Sequence, residues 1–366
     1  MSSTTHSTAA LPRDAVGWRF DRRGLLPDTL KLASIPSRKL RPNEVLVKVH
    51  AAALNPVDWK LAALVPSAVY RCIGIQAITA GFDLAGEIVA LAPNAKAGEA
   101  QARFRVGSRV FAQIGLYSRA RKGDGSVATH AVLPLDALAL MPDSLTYVDA
   151  AGFGIAATTA AMMARNLEVA QRVLILGAGT SVGLFLSQIC RHKNAVLVGT
   201  ASASKQTLVQ QRGVEHFIDY TKVDMVEHLR THYHAQPFDW IFDCTGQVSV
   251  YYASPAFLKP QGTFYTIGAN EVNPDSSLVG FALPRVLDTF RTTLLPAWLG
   301  GTPRRYVTGI NNGDDTHLVE RLVSEGVLTP VFDSVFPFED APKAYARIIH
   351  EKPTGKIVIK VSNDAE

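Results

Sequence analysis

The pattern of this chain predicts an α/β fold in two parts, and three observations carry that expectation. Residues 1–145 hold short β-branched runs separated by Pro, Gly and Asn, as antiparallel strands do. From Thr146 onward such runs alternate with stretches of helical spacing, which implies βαβ units and a parallel sheet buried on both faces. At the head of this second part, VLILGAGTSVG (173–183) runs from an apolar strand through a glycine turn into LFLSQIC. The expected architecture is a mostly antiparallel, partly closed β-barrel followed by a doubly wound parallel sheet.

Element by element, the first part offers strands at EVLVKVHAAAL (44–54), FDLAGEIVAL (82–91), SRVFAQI (108–114) and ATHAVLP (128–134). The second opens with a helical pattern, YVDAAGFGIAATTAAMMARNL (147–167). Strands follow at RVLILG (172–177), AVLVGT (195–200), HFIDY (216–220), DWIFDC (239–244) and GTFYTIG (262–268), with helices over 204–212 and 223–234. After YVTGI (306–310) come the helix THLVERLVSEG (316–326) and the strand KIVIKV (356–361). The domains expected are 1–145, 146–310 and a segment, 311–366, that returns to the first.

At 366 residues there is room for two domains, and 47% hydrophobic with 19% charged residues is an ordinary globular balance. The net charge of +5 is spread without blocks, which leaves no basic tail for nucleic acid but suits anionic small molecules. Cys72, Cys190 and Cys244 are too few and too scattered for a disulfide framework or a C-x2-C zinc site. A reducing, cytoplasmic setting follows as the simpler reading. The start, MSSTTHSTAALP, has neither the basic nor the apolar part of a secretory signal. Its Ser and Thr, with Arg13, Arg19, Arg22 and Arg23 behind them, leave a mitochondrial reading open, against which Asp14 and Asp21 count. No apolar run reaches the ~20 residues a spanning helix needs, so a soluble protein is expected.

The glycine turn has the context that makes such a pattern meaningful, a strand before it and a helix after it. Glycines let the backbone approach a pyrophosphate, and the helix start aims its amides and positive dipole end at the charge. Gly177, Gly179 and Gly183 are spaced irregularly, since the usual pattern wants glycine where Ala178 and Thr180 stand. The hydroxyls of Thr180 and Ser181 are therefore candidate phosphate donors, next to Val182. A tight turn without a ligand is the alternative. The next strand chooses the cofactor. A dinucleotide lacking the 2′-phosphate is held there by an acidic residue on the ribose hydroxyl. This chain reads VGTASASKQ, with no acidic residue between Gly183 and Glu215. Ser202, Ser204 and Lys205 offer hydroxyls and a cation to a 2′-phosphate, with Tyr220 and Arg212 as seconds, and so favour NADPH. A solvated lysine at a helix start is the competing account of Lys205.

Taken in order, ALNPVDWK (53–60), GFDLAGEIVALAP (81–93), GSRVFA (107–112), AAGFGIAATTA (150–160), the glycine turn, HFIDYT (216–221), DWIFDCTG (239–246), GTFYTIG, FEDAPKAY (338–345) and GKIVIKV (355–361) resemble the medium-chain dehydrogenase/reductase superfamily. The match is to its zinc-independent branch of zeta-crystallin-like quinone oxidoreductases and enoyl reductases, over nearly all of the chain beyond residue 30. The resemblance implies a GroES-like β-barrel catalytic domain, a Rossmann domain, and an active site in the cleft between them. Zinc-dependent relatives carry a cysteine where this chain has Asn55, so no metal is expected.

Hydride transfer is the cofactor's chemistry, and the protein positions its ring. Without zinc an alcohol lacks its alkoxide stabiliser, whereas an enone or quinone delocalises the developing charge onto an oxygen that needs only hydrogen-bond donors and a proton. The expected reaction is NADPH-dependent reduction of an enone or quinone. A stand-alone enoyl reductase working on carrier-bound thioesters, and a non-catalytic NADPH-binding protein, are the alternatives. The resemblance implies that Asn55 faces the nicotinamide, against a plain turn-forming role before Pro56. Tyr70 falls where related enoyl reductases carry a tyrosine donor, and Lys60 is a candidate for the substrate oxygen. Asp58 reads as a local cap. Thr159 falls beside the nicotinamide and pyrophosphate, while Cys244, Thr245, Gly246, Gly268 and Ala269 line the ring, Cys244 not as a nucleophile. Phe281, Phe290 and Trp298 suit the roof of a pocket for a hydrophobic small molecule, or an oligomer contact or membrane-surface patch. YVTGI resembles the edge strand through which relatives pair, so a homodimer or a monomer is expected. HYH (232–234) reads as a solvated helix end.

Overall fold

In the computed structural model, residues 10–92, 103–116, 119, 122–267, 304–309, 315–351 and 353–362 are described. They fall into two compact units. One gathers Met1–Thr158, Asn312–Ser324 and Phe332–Glu366, the other Thr159–Asn311 and Glu325–Val331. The change from the first unit to the second falls thirteen positions beyond residue 145, and residues 325–331 interrupt the returning segment.

In the first unit, β3 (Glu44–Ala53) is buried along nearly its whole length and is the spine of a seven-stranded sheet. Its Val and Ala side chains tolerate cover on both faces, and it pairs with β5 (Asp83–Leu91), β7 (His130–Pro134) and β16 (Lys356–Lys360), all antiparallel. The order β15-β16-β3-β5-β6-β8 is completed by β6 (Arg109–Gln113), β8 (Leu138–Leu140) and β15 (Phe332–Pro337). Only β15 with β16 runs parallel there. Val45, Val47, Val49, Phe82, Leu84, Ile88 and Val110 pack the core beneath it. A three-stranded sheet of β1 (Val16–Phe20), β2 (Lys31–Ser34) and β4 (Ile78–Thr79) stands apart. α2 (Pro56–Leu64) and α3 (Ser67–Cys72) follow β3, after the short α1 (Leu26–Thr29), and α11 (Ala341–His350) precedes β16. The helical pattern over 147–167 is two helices, α4 (Tyr147–Ala151) and α5 (Gly154–Ala164), parted at Gly152–Phe153.

The second unit holds six parallel strands: β9 (Arg172–Leu176), β10 (Val196–Ala201), β11 (His216–Asp219), β12 (Phe238–Asp243), β13 (Leu258–Thr266) and β14 (Arg305–Thr308). Their order is β11-β10-β9-β12-β13-β14, which reverses direction between β9 and β12. A ligand of such a sheet binds beyond the carboxyl ends of the strands at that reversal. α6 (Ser181–His192), α7 (Gln206–Gln211), α8 (Met225–Tyr233) and α9 (Val248–Ala253) connect the strands, and α10 (Thr316–Ser324) belongs to the first unit.

Candidate active site

In the first unit the site grows from the end of β3. Asn55 sits at the N-cap of α2 in an extended conformation, with Pro56 at the position where a missing N–H costs nothing. Asp58 is the local cap expected of it, its Oδ2 accepting from the Asn55 N–H at 2.9 Å. The Asn55 carboxamide is engaged elsewhere. Its Oδ1 accepts from Lys356 Nζ at 2.7 Å, and its Nδ2 donates to Asp83 Oδ2 at 2.8 Å. Lys356 Nζ closes the triangle on Asp83 Oδ2 at 2.9 Å. All three residues are buried, and Asp83 Oδ1 accepts from Ile155 N at the start of α5, at 2.8 Å.

Behind this triangle lies a second buried group. Burial pushes the Asp58 carboxyl up to about 7, opposed chiefly by the nearby Arg119 charge and the Asn55 N–H. Arg119 is buried, donates to Gly81 O at 2.9 Å and lies over the Phe82 ring, 4.3 Å from its centroid. Tyr345 on α11 donates to Asp58 Oδ2 at 3.4 Å, and burial, then Asp58, holds its phenol well above the usual range. Tyr70 lies half-buried on α3, its phenol raised by burial while the Arg119 charge pulls the other way. Among the described residues no hydrogen bond joins Tyr70 to Asn55. Lys60 lies on α2, and its Nζ stands 5.9 Å from the Trp59 ring centroid. The sequence pattern pointed to Asn55; Asp83, Lys356, Arg119 and Tyr345 went unnoticed.

In the second unit the glycine turn is tied to the neighbouring strand. Thr200 takes the Gly177 N–H on its hydroxyl and the Ala178 N–H on its carbonyl. Gly177 has φ +82°, a left-handed value glycine adopts without strain. Gly183 lies so close that a Cβ there would stand 2.2 Å from the Gly177 carbonyl. Thr180 is the N-cap of α6: its Oγ1 accepts from the Gly183 N–H at 3.0 Å and donates to Gly177 O at 2.8 Å. The Thr180 hydroxyl is thus bonded within the turn itself. The first-turn amides of Ser181 and Val182 lack the internal acceptor that a helix gives later residues, the arrangement that suits a helix start to an anion. Thr159 is buried on α5.

Lys205 reaches back to the turn, its Nζ donating to Gly179 O at 3.2 Å. A Cβ at Gly179 would meet the Lys205 stem at 2.8 Å, so glycine makes room for the lysine. The hydroxyls of Ser202 and Ser204 pair at 3.0 Å beside it, and the exposed Tyr220 follows β11. Arg212 is elsewhere. It ends the stretch that begins with α7, which runs back toward the amino ends of the strands, and donates to the Thr329 hydroxyl. That overturns its expected role as a second at the 2′-phosphate. At the end of β12 the buried Asp243 accepts from the amides of Thr245, Gly246 and Gln247 and from the hydroxyls of Thr245 and Thr266. This set fixes the Cys244–Thr245–Gly246 turn. Burial and then Asp243 push the Cys244 thiol well up, away from the thiolate a nucleophile requires. His232 and Tyr233 finish α8 and His234 caps it, with His232 stacked on His228 at 4.3 Å. Gly268, Ala269, Phe281, Phe290 and Trp298 lie outside the described residues.

Both units are matched by family models. The alcohol dehydrogenase GroES-like domain covers residues 41–174 and the zinc-binding dehydrogenase covers 212–359. A zinc-type alcohol dehydrogenase-like protein of Schizosaccharomyces pombe is 31% identical over 94% of this chain and 95% of its own. A trans-enoyl reductase of Aspergillus terreus is 29% identical over the whole of both chains. Among solved structures, the quinone oxidoreductase from Coxiella burnetii superposes with a TM-score of 0.73 at 22% identity, over 95% of this chain and 99% of that one. The fold and site define an oxidoreductase built on a pyridine-nucleotide-binding sheet. The chain belongs to the medium-chain dehydrogenase/reductase superfamily, in its zinc-independent branch. A catalytic zinc does not fit the described residues. Among the described residues no group of three or more His, Cys, Asp or Glu can hold a metal ion, and the Asn55 oxygen is taken by an ammonium group.

Proposed function

We propose that this protein reduces an activated C=C bond or a quinone with NADPH. The observation that carries the cofactor choice is the rim after β10, where Lys205 is hydrogen-bonded to the glycine turn beside paired Ser202 and Ser204, and no acidic residue lies between Gly183 and Glu215. A carboxylate there would repel a 2′-phosphate, and this rim attracts it. The amides of Ser181 and Val182 receive the pyrophosphate. When bound, the nucleotide supplies the hydride. Asn55 donates to the substrate oxygen on which negative charge gathers, and that is electrostatic stabilisation without a metal.

The test is NADPH oxidation across enones, quinones and enoyl thioesters, with NADH alongside. NADPH is expected to be preferred, and Lys205→Glu to raise its KM about tenfold or more, from the loss of about 1.5–3 kcal/mol of charge-assisted bonding. Equal use of NADH, or an unchanged KM, overturns the assignment. The full-length match to a trans-enoyl reductase favours a second reading, a stand-alone enoyl reductase of polyketide or related biosynthesis. Turnover confined to carrier-bound thioesters selects it, and binding without any turnover leaves a non-catalytic nucleotide-binding protein.

A further inference from the structure

We propose that the buried Lys356–Asp83 pair is a positioning device. It fixes which way the Asn55 carboxamide faces, so that Asn55 presents an N–H and never its oxygen to an electron-rich atom. The inference rests on the reading of Asn55 as a donor to substrate. Oxygen and nitrogen of an asparagine amide have nearly the same shape, and packing alone does not choose between the two orientations. Hydrogen-bond chemistry chooses here. An ammonium group only donates, so Lys356 at 2.7 Å demands Oδ1. A carboxylate only accepts, so Asp83 at 2.8 Å demands Nδ2. Of the two Nδ2 hydrogens one is spent on Asp83, and the other remains to be given.

Asp83 is itself held in place. Its second oxygen takes the Ile155 N–H, and Gly154 presses so close that a Cβ there would stand 2.2 Å from the Asp83 carboxyl carbon. Lys356 is 2% exposed and Asp83 fully buried. A buried ion pair is a poor route to stability, since apolar residues of similar volume hold a core as well or better. Its distinctive effect is to exclude one of the two amide orientations.

The test compares wild type with Lys356→Met and with the charge-balanced double variant Lys356→Met/Asp83→Asn. The single change strands a buried carboxylate and lowers the melting temperature. The double change removes both charges and restores stability. In it the Ile155 N–H claims the oxygen of the amide introduced at position 83. The nitrogen of that amide then faces Asn55 and calls for its oxygen, reversing the carboxamide. In cofactor-free protein labelled with 15N-asparagine, the Asn55 side-chain resonances, assigned by their loss in Asn55→Ala, are expected to exchange about tenfold faster in the double variant. With NADPH and 1,4-naphthoquinone its kcat is expected to fall about tenfold while the NADPH KM stays within about twofold. The same pair of changes made on Asn55→Ala is expected to leave kcat nearly as it was. Unchanged exchange, a kcat that recovers with the melting temperature, or a loss that multiplies on Asn55→Ala overturns the proposal. If Asn55→Ala alone keeps full kcat, the donor reading of Asn55 falls, and the exchange measurement still judges the pair.

Discussion

Asp58 shows how much one buried carboxyl imposes on this protein. Its ordinary value is 3.8, and burial pushes it up to about 7. A carboxyl whose folded pKa exceeds its unfolded one favours folding fully below about pH 4 and loses that contribution as the pH climbs to about 7. Asp58→Asn keeps an acceptor for the Asn55 N–H and does not titrate. Urea midpoints of that variant should therefore change less between pH 5 and pH 8 than those of wild type, and an equal change would show that Asp58 does not titrate in this window. At this scale the sequence is legible wherever the partner is local. Asp58 lies three residues from Asn55 and follows the pattern of a helix start. Lys356 lies 301 positions from Asn55, and no spacing rule reaches that far. Thr180 shows the opposite limit: its place was legible, but its hydroxyl bond to Gly177 O was not.

The strand–turn–helix of β9 and α6 is held by close backbone approach as well as by the side chains of Thr180, Thr200 and Lys205. With the Gly183 position 2.2 Å from the Gly177 carbonyl, a methyl group has nowhere to go unless the turn opens. Gly183→Ala is expected to weaken NADPH binding about tenfold or more and to lower thermal stability, measured by fluorescence titration and calorimetry. Full binding by that variant would show that the turn yields cheaply. Elements with a buried apolar period were readable in advance, among them β3, β9, β10 and β12. β2 was not, because every one of its residues is exposed, and β15 alternates weakly at the edge of its sheet. The break at Gly152–Phe153 escaped notice because apolar residues continue across it.

Over the whole molecule, chain order and spatial order part company. The sheet that leads into Asn55 is completed by β15 and β16, and β16 covers the Ala51–Ala53 end of β3 while β7 covers Glu44–Lys48. A chain stopped after Val331 lacks both strands and Lys356. It is expected to be insoluble or aggregated on size-exclusion chromatography, since the apolar Ala51–Ala53 end of β3, which β7 does not cover, is then an open edge. A soluble monomer would show that the first unit closes without them. The doubly wound sheet was legible as a whole because its strands are continuous apolar runs between helices. The polar triangle was not, because its three corners come from three distant stretches of chain. That arrangement also has a consequence in time. A ribosome delivers Asn55 and Asp83 long before Lys356, so the carboxamide meets its ammonium partner only after 301 further positions have been made.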